Sequence, residues 1–205
     1  MEKVKITLDS NKQKEQHSQM NIFALSTNHE VAAKWHNDKH CVKMVTEIMQ
    51  CLSCAVIRHD TPTELLPLSK KGTPVKGGYH HHPSSIWAGN TKGNFEWLCH
   101  HGISLAKEYT RRYNKTHFCE GVITRLFSLI DYIPDGNIED FAVAISEDSE
   151  CRKIDNFEDL HPVTKYRLYY KIDKAHLANW KANKPHWYDY SIEKIIETSQ
   201  SIVTV

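Results

Sequence analysis

The sequence predicts an all-α fold, a compact single-domain helical bundle with long loops. Apolar residues recur at helical spacing over several long segments, and stretches rich in proline and glycine separate these segments. The chain shows no internal repeat and no second domain, and 205 residues are enough for one well-buried core.

The domain is predicted to begin near Met20, after a polar N-terminal segment. Residues 1–19 have the composition of a flexible arm, within which Lys3–Leu8 alternates like a short strand. A brief apolar segment, Asn21–Leu25, then opens the domain, which we assign to residues 20–205.

A long helix is predicted from Asn28 to Arg58. Thr27 followed by Glu30 has the spacing of a capping box at its start. Its apolar positions recur as on the core face of a helix: Val31, Trp35, Val42, Val45, Met49, Leu52 and Val56.

Further helices follow, separated by loops. Residues 61–79 are rich in proline and glycine, and loops of this length are usually functional or mobile. Apolar spacing predicts helices at about 91–114 and 119–129. Pro162 suits the first turn of a last long helix that ends before Pro185, at about 162–183, and a short terminal helix follows at 193–201.

Composition and charge exclude several classes of protein. Hydrophobic residues at 40% and charged residues at 25% are ordinary for a soluble protein. No apolar run approaches the roughly 20 residues that span a bilayer, and no signal-peptide pattern opens the chain. The six cysteines are scattered, which favours reduced thiols and a cytoplasmic location. A net charge of +1 argues against indiscriminate binding of polyanions.

Residues 32–44 carry the most unusual pattern in the chain. Four basic side chains should form one helical stripe, at spacing i, i+3, i+4, i+7: His36, Lys39, His40 and Lys43. Asp38 lies off this stripe, toward apolar positions that can tune its proton affinity, so it is our candidate general acid/base. The alternative is a surface carboxylate paired with Lys34 or Lys39. Lys39 and Lys43 are candidate phosphate ligands, and Glu47 is expected to pair with Lys43.

A metal site is the alternative interpretation of this stripe. His36 and His40, at i and i+4, are spaced to share zinc or another divalent ion. A third ligand would come from His80–His82 or from His100 and His101. The glutamate of an HExxH motif is absent, so we predict no cofactor and keep the metal as the alternative.

The loop that ends at Trp87 and the C-terminal third supply further candidates. We expect His81 or His82 to face a site, and Arg112 to hold phosphate. Basic residues interleave with tyrosines and tryptophans near the C-terminus, a mixture that suits phosphates and exposed bases. Several of these aromatics fit a helix core face, whereas Trp187 and Tyr188 lie beyond the helix stop and are predicted to shape a binding surface.

Three motifs carry a resemblance to a known family. They are His36-Asn37-Asp38 on the first helix, the sequence DYIP at 131–134 with AVAIS at 142–146, and the closing KPHWYDY at 184–190. They resemble the Tyr-Arg-Glu step, the Tyr-Ile-Pro element with its small-residue run, and the Arg-Pro-x-Trp-Tyr-x-Tyr ending of phage-type pyrimidine-dimer DNA glycosylases. From Met20 onward the chain also resembles a family of small helical proteins of phages and large DNA viruses.

The resemblance implies a base-excision chemistry. Such enzymes attack C1′ of a flipped or exposed nucleotide with an amine, form a Schiff base and eliminate the 3′ phosphate. Asp38 would inherit the role of the family's catalytic glutamate. The family's amine belongs to its first residue after methionine removal, and the corresponding nitrogen here, that of Asn21, lies in a peptide bond. Initiation or processing near Met20 would free it.

The leading hypothesis is therefore a DNA- or nucleotide-acting enzyme of phage or viral type, most specifically a base-excision glycosylase and abasic lyase. Asp38, flanked by His36 and His40, would carry catalysis. The expected binding residues are Asn37, Lys39, Lys43, His81, His82, Arg112, Trp187 and Tyr188. The alternatives are a metal-dependent hydrolase or base-modifying transferase built on the two histidines, and a non-catalytic nucleotide or nucleic-acid binding protein.

Overall fold

In the computed structural model, which describes residues 20–200, seven α-helices are joined by loops and short 3₁₀ turns. The helices are α1 (His29–Trp35), α2 (Asp38–Arg58), α3 (Pro83–Ala88), α4 (Lys92–Tyr113), α5 (Cys119–Phe127), α6 (Pro162–Lys171) and α7 (Ile192–Gln200). The 3₁₀ turns are Thr63–Leu65, Ile130–Tyr132, Glu150–Lys153, Phe157–Asp159, Ala175–Leu177 and His186–Asp189. Within this range there is no β-strand, which confirms the all-α prediction. The predicted arm and its strand at Lys3–Leu8 lie outside the described residues.

The long helix predicted from Asn28 to Arg58 is in fact two helices, α1 and α2. The break falls at His36 and Asn37, where the side chain of Asn37 caps α2 by accepting the backbone N–H of His40 at 2.8 Å. A short amide side chain competes with the backbone for helical hydrogen bonds, so it favours a helix start over a helix interior. His36 and His40 consequently belong to different helices.

The last long helix also ends earlier than predicted, at Lys171 rather than near residue 183. The chain turns at Asp173, whose carboxylate accepts the backbone N–H groups of Glu150 and Cys151 at 2.8 and 3.0 Å. This pair of tertiary hydrogen bonds diverts the chain from the helical path, and apolar spacing alone does not reveal it. The predicted helix at 91–114 is confirmed, with Thr91 capping α4 at the N–H of Asn94.

The centre of the fold is α2, which packs against α3, α4 and α5. Where α4 crosses α2, a Cβ atom at Gly102 would lie 2.8 Å from Ile48 and 2.9 Å from Ile123, so glycine permits this close approach. All seven helices contribute to one cluster of buried apolar residues. By length and composition α2 could also span a membrane, but 67% of its apolar window is buried in the fold, as in a core helix.

A buried arginine fastens the break between α1 and α2. The guanidinium of Arg112, on α4, is 0% exposed and donates to Glu108 at 2.6 Å and to Asp38 at 3.1 Å. It also donates to the backbone carbonyls of Lys34 and His36, at 2.9 and 2.8 Å. One side chain thus joins two carboxylates and the last turn of α1.

Replacing Arg112 should be far more costly than replacing its neighbour. We expect Arg112→Ala to lower the free energy of unfolding by about 3–5 kcal/mol, because it leaves the buried Asp38 without a cation and Glu108 with Arg111 alone. The matched control is Arg111→Ala, which removes a second guanidinium from Glu108 but at a side chain 49% exposed, and should cost under about 1 kcal/mol. Urea unfolding of both variants measures the difference, and equal losses would contradict this account of the network.

Candidate active site

A carboxylate in the middle of α2 faces the backbone of Asn21. Glu47 is 7% exposed, and its Oε2 accepts the backbone N–H of Asn21 at 3.1 Å. Its Oε1 pairs with Lys43, one turn earlier, at 2.7 Å. The predicted ion pair with Lys43 is therefore present, but the second oxygen binds a nitrogen 26 residues away.

The side chain of Asn21 holds its own backbone nitrogen in place. Its Oδ1 accepts the N–H groups of Ile22 at 2.8 Å and of Phe23 at 3.1 Å, which forms a tight side-chain turn. Its Nδ2 donates to the carbonyl of Ala144 at 2.8 Å. The turn carries Phe23 into the left-handed region at φ 41°, a conformation that costs free energy in a non-glycine residue and recurs at functional sites.

The segment that receives Asn21 is itself fixed by α6. The hydroxyl of Tyr166 donates to the carbonyl of Ala142 at 2.6 Å and accepts the N–H of Ala144 at 3.1 Å. Tyr166 is fully buried, so this irregular stretch has the rigidity of the helix behind it. Its polar backbone groups therefore face Asn21 in one arrangement.

A cleft of about 580 Å³ lies along the segment that receives the side chain of Asn21. It is lined by His82, Pro83, Val143, Ala144, Ile145, Ser146, Glu147, Asp148 and Arg152. Its size lies within the range of small-molecule sites, and Ala144 belongs both to its wall and to the contact with Asn21. His82, whose pKa is lowered by partial burial, lines this cleft and caps α3, so its predicted role at a site stays a prediction. His81 is exposed and is not part of the lining.

The side chain of Met20 is enclosed beside the pair. Its sulfur accepts the thiol hydrogen of Cys51 at 3.1 Å and the hydroxyl of Ser85 at 3.3 Å, and the residue is 1% exposed. The loop at Gly77 packs closely against α2. Gly77 has φ +68°, and a Cβ atom there would lie 2.5 Å from the sulfur of Cys54. Met20 thus fills the space next to the nitrogen of Asn21.

Part of this chain matches the model of a known protein family. Residues 20–121 match the pyrimidine dimer DNA glycosylase family. The chain is therefore distantly similar to that family, which supports a DNA repair function of the glycosylase type, with DNA as the family's substrate. The match begins at Met20 and includes both Asn21 and Glu47. Searches of curated proteins and of solved structures returned no match.

Asp38, the acid/base candidate from the sequence, has its carboxylate fully engaged in the fold. Its Oδ1 accepts from Arg112 and from the backbone N–H of Lys181, both at 3.1 Å. Its Oδ2 accepts from Asn179 at 2.8 Å and again from Lys181 at 3.0 Å. Asp38 therefore holds residues 179–181 onto the start of α2, and our interpretation of its role changes from proton transfer to structure.

The two histidines proposed to flank Asp38 are core residues. His36 is 0% exposed and His40 is 5% exposed, and the Nδ1 atoms of both face the hydroxyl of Tyr170. His36 is thus not a solvent-facing catalytic group. Within residues 20–200, no set of three His, Cys, Asp or Glu side chains is arranged to hold a metal ion, so the zinc alternative lacks a third ligand there.

Four predicted binding residues lie elsewhere than expected, or bind the protein itself. Arg112 is buried in its ion network, and Asn37 caps α2 at 1% exposure, so neither presents its side chain to a phosphate. Trp187 is 1% exposed and packs beneath the guanidinium of Arg167, so it is core rather than binding surface. Tyr188 is partly exposed but lies against Trp180, at 4.7 Å between ring centroids. Lys39 and Lys43 are exposed on α2, as predicted.

Sequence reasoning did not select Glu47 as a candidate site residue. Met44, Ile48 and Cys51 are all 0% exposed, and they stand at i−3, i+1 and i+4 relative to Glu47. A carboxylate on the inward side of an apolar helix is a recognisable signal. The sequence prediction ran one continuous helix through His36, and it assigned the candidate site to the histidine stripe instead.

The buried histidines predict that acid destabilises the protein. Burial is the largest cause that lowers the pKa of His40 to about 3 and that of His101 to about 4, and it holds the pKa of His36 well below 6.5. Below pH 6.5 these histidines are protonated in the unfolded chain but stay neutral in the folded chain. The free energy of unfolding therefore falls as the pH falls toward the lowered pKa values. Between pH 7.5 and 5.0 each histidine should remove about 2 kcal/mol from the free energy of unfolding.

Urea unfolding across this pH range tests the point before carboxylates titrate appreciably. His101→Gln should lower by one the number of protons taken up on unfolding, so the free energy of unfolding should vary less with pH. Replacing the exposed His80 should leave this variation unchanged. A wild-type stability that is constant between pH 7.5 and 5.0 would show that the three histidines are not buried in neutral form.

Proposed function

We propose that the protein is a base-excision DNA glycosylase with abasic lyase activity, whose nucleophile is the nitrogen of Asn21 and whose acid/base is Glu47. The observation that carries this proposal is the 3.1 Å contact between that nitrogen and the Glu47 carboxylate. It occurs one residue after the point where the family match begins. The resemblance to enzymes that use an N-terminal amine supports the same pairing.

The chemistry requires a free amine at Asn21. Its lone pair attacks C1′ of the target nucleotide as the glycosidic bond breaks. The base leaves with the electron pair of the glycosidic bond and takes up a proton. Loss of the remaining amine proton and opening of the sugar ring give an imine. Glu47 then removes a proton from C2′, the electrons expel the 3′ phosphate, and water later hydrolyses the imine to return the amine.

The surroundings of Glu47 suit this task. The carboxylate is nearly buried, Lys43 balances its charge, and its second oxygen already lies at the nucleophile. Schiff-base chemistry needs an amine and a proton carrier but no metal ion, so we propose that no cofactor takes part. The neighbouring cleft, with His82 on its wall, is the proposed place for the displaced nucleotide.

Removing the chain up to Met20 would do two things at once. It would turn the amide nitrogen of Asn21 into an amine, and it would empty the space between Cys51 and Ser85 that the Met20 side chain fills. We expect the emptied space to give the nitrogen access to solvent. We therefore propose that the active form begins at Asn21.

Borohydride trapping tests the nucleophile. Three forms, beginning at Met1, Met20 and Asn21, are incubated with a duplex carrying an abasic site or a pyrimidine dimer, because borohydride reduces an imine to a stable protein–DNA adduct. We expect an adduct with the Asn21 form and none with the Met1 form. Chelators should not change the yield.

The other outcomes are equally informative. An adduct with the Met20 form alone would move the nucleophile to the amine of Met20. No adduct from any folded form, combined with retained DNA binding, would overturn the proposal in favour of a non-catalytic nucleic-acid binder. Loss of the adduct on chelation would revive the metal-dependent alternative.

Glu47→Gln tests the acid/base in the Asn21 form. We expect the rate of strand cleavage to fall by about 10²–10⁴, since the amide can neither accept nor donate the proton. Asp38→Asn is the matched control, because it changes a buried carboxylate of the same helix that contacts only protein. Its cleavage rate should stay within about threefold of the unmodified form at a temperature where both are folded. The reverse ranking would restore Asp38 as the catalytic carboxylate.

A further inference from the structure

We infer that His40 binds a DNA phosphate as a neutral hydrogen-bond donor, between Lys43 and Lys174 at the edge of the proposed active site. This inference deepens the proposed function and rests on it for the identity of the ligand. It concerns binding only, and it does not depend on which amine reacts.

Asn37 determines which ring nitrogen of His40 carries the proton. The Oδ1 of Asn37 accepts the backbone N–H of His40, so the NH₂ group of that side chain points at the ring, with Nδ2 3.4 Å from Nδ1. An NH₂ group can only donate. The Nδ1 of His40 must therefore be an acceptor, and the ring proton is on Nε2.

The buried tyrosine supports the same tautomer. Tyr170 donates its hydroxyl hydrogen to Nδ1 of His40 and in turn accepts from Nδ1 of His36, which lies 3.1 Å away. His36 then keeps an unprotonated Nε2, the atom that has no hydrogen-bond partner among the described residues. The opposite direction would leave a buried N–H without an acceptor, which proteins rarely tolerate.

The packing leaves one edge of the His40 ring for a ligand. One face of the ring stacks on Phe23, with centroids 4.4 Å apart and planes 14° apart, and the Nδ1 edge lies against Tyr170. The residue is 5% exposed, and Nε2 is the ring nitrogen that neither Asn37 nor Tyr170 contacts.

Positive groups surround that edge. Lys43 follows His40 by one turn of α2, and its partner Glu47 belongs to the proposed site. From the turn after α6, the amine of Lys174 lies 4.9 Å above the ring of Tyr169, which stacks in turn on Phe23 at 6.1 Å. His40, Phe23 and Tyr169 therefore form a stack whose basic rim suits a phosphodiester.

The same groups keep His40 uncharged. Burial, and then the charges of Lys174, Lys43 and His176, lower the pKa of His40 to about 3. At neutral pH the ring offers a hydrogen bond without a charge, whereas Lys174 offers a charge. The two contributions to DNA affinity should consequently differ in their dependence on salt.

Binding of the chain beginning at Met1 to a duplex with a non-cleavable abasic analogue, measured by fluorescence anisotropy between 50 and 300 mM salt, tests the inference. His40→Phe, which keeps the stack on Phe23, should weaken binding about tenfold with the salt slope unchanged. Lys174→Ala should lower the slope by about one. Lys107→Ala, an exposed lysine on α4, is the control and should change neither.

Unchanged affinity in folded His40→Phe would overturn the inference, and so would a lowered salt slope, which would mean that His40 binds as a cation. Long-range ¹H–¹⁵N spectra of the unmodified protein give a second measurement that needs no variant. We expect the Nε2–H tautomer of His40 and a shift of that signal on adding DNA, and an Nδ1–H tautomer would contradict the argument. Positive binding results without any trapped adduct would sink the proposed catalysis alone.

Discussion

The buried ion network of Arg112 is the constraint on which the site depends. Its guanidinium pairs with Glu108 and Asp38 and donates to two carbonyls at the end of α1, and its side chain is 0% exposed. Burial would raise the pKa of Glu108, but hydrogen bonds from Arg111 and Arg112 outweigh it and lower that pKa. Because the network anchors the first residue of α2, it also sets where Lys43 and Glu47 fall along the same rigid helix.

The two sides of α2 make different contacts. Its inward side packs the core and carries Glu47 to the nitrogen of Asn21, while its outward side presents Lys39 and Lys43. The side chain of Asn21 and the hydroxyl of Tyr166 then hold the opposing backbone still. Such support is what the proposed reacting pair needs, since small displacements of reacting groups are costly in rate.

The prediction of one continuous helix through the histidine-rich stretch was wrong. A period of 3.6 residues fits both sides of Asn37, so it gave no sign that the helix restarts there. Once Asn37 is a cap, Asp38 moves into the first turn of α2, where Arg112, Asn179 and Lys181 surround it. The resemblance to pyrimidine-dimer DNA glycosylases is supported at the level of distant similarity by the family match over residues 20–121.

The sequence by itself determined the all-α class, the α4 helix, the core positions of α2 and a glycosylase-like relationship. These follow from local periodicity, capping and motif, which neighbouring residues carry. Only the tertiary structure decided which carboxylate faces Asn21, that Trp187 is core, and that His36 and His40 both face Tyr170. Each of these depends on contacts between residues far apart in sequence, as when Tyr170 meets His40 across 130 positions, and no local pattern encodes such a contact.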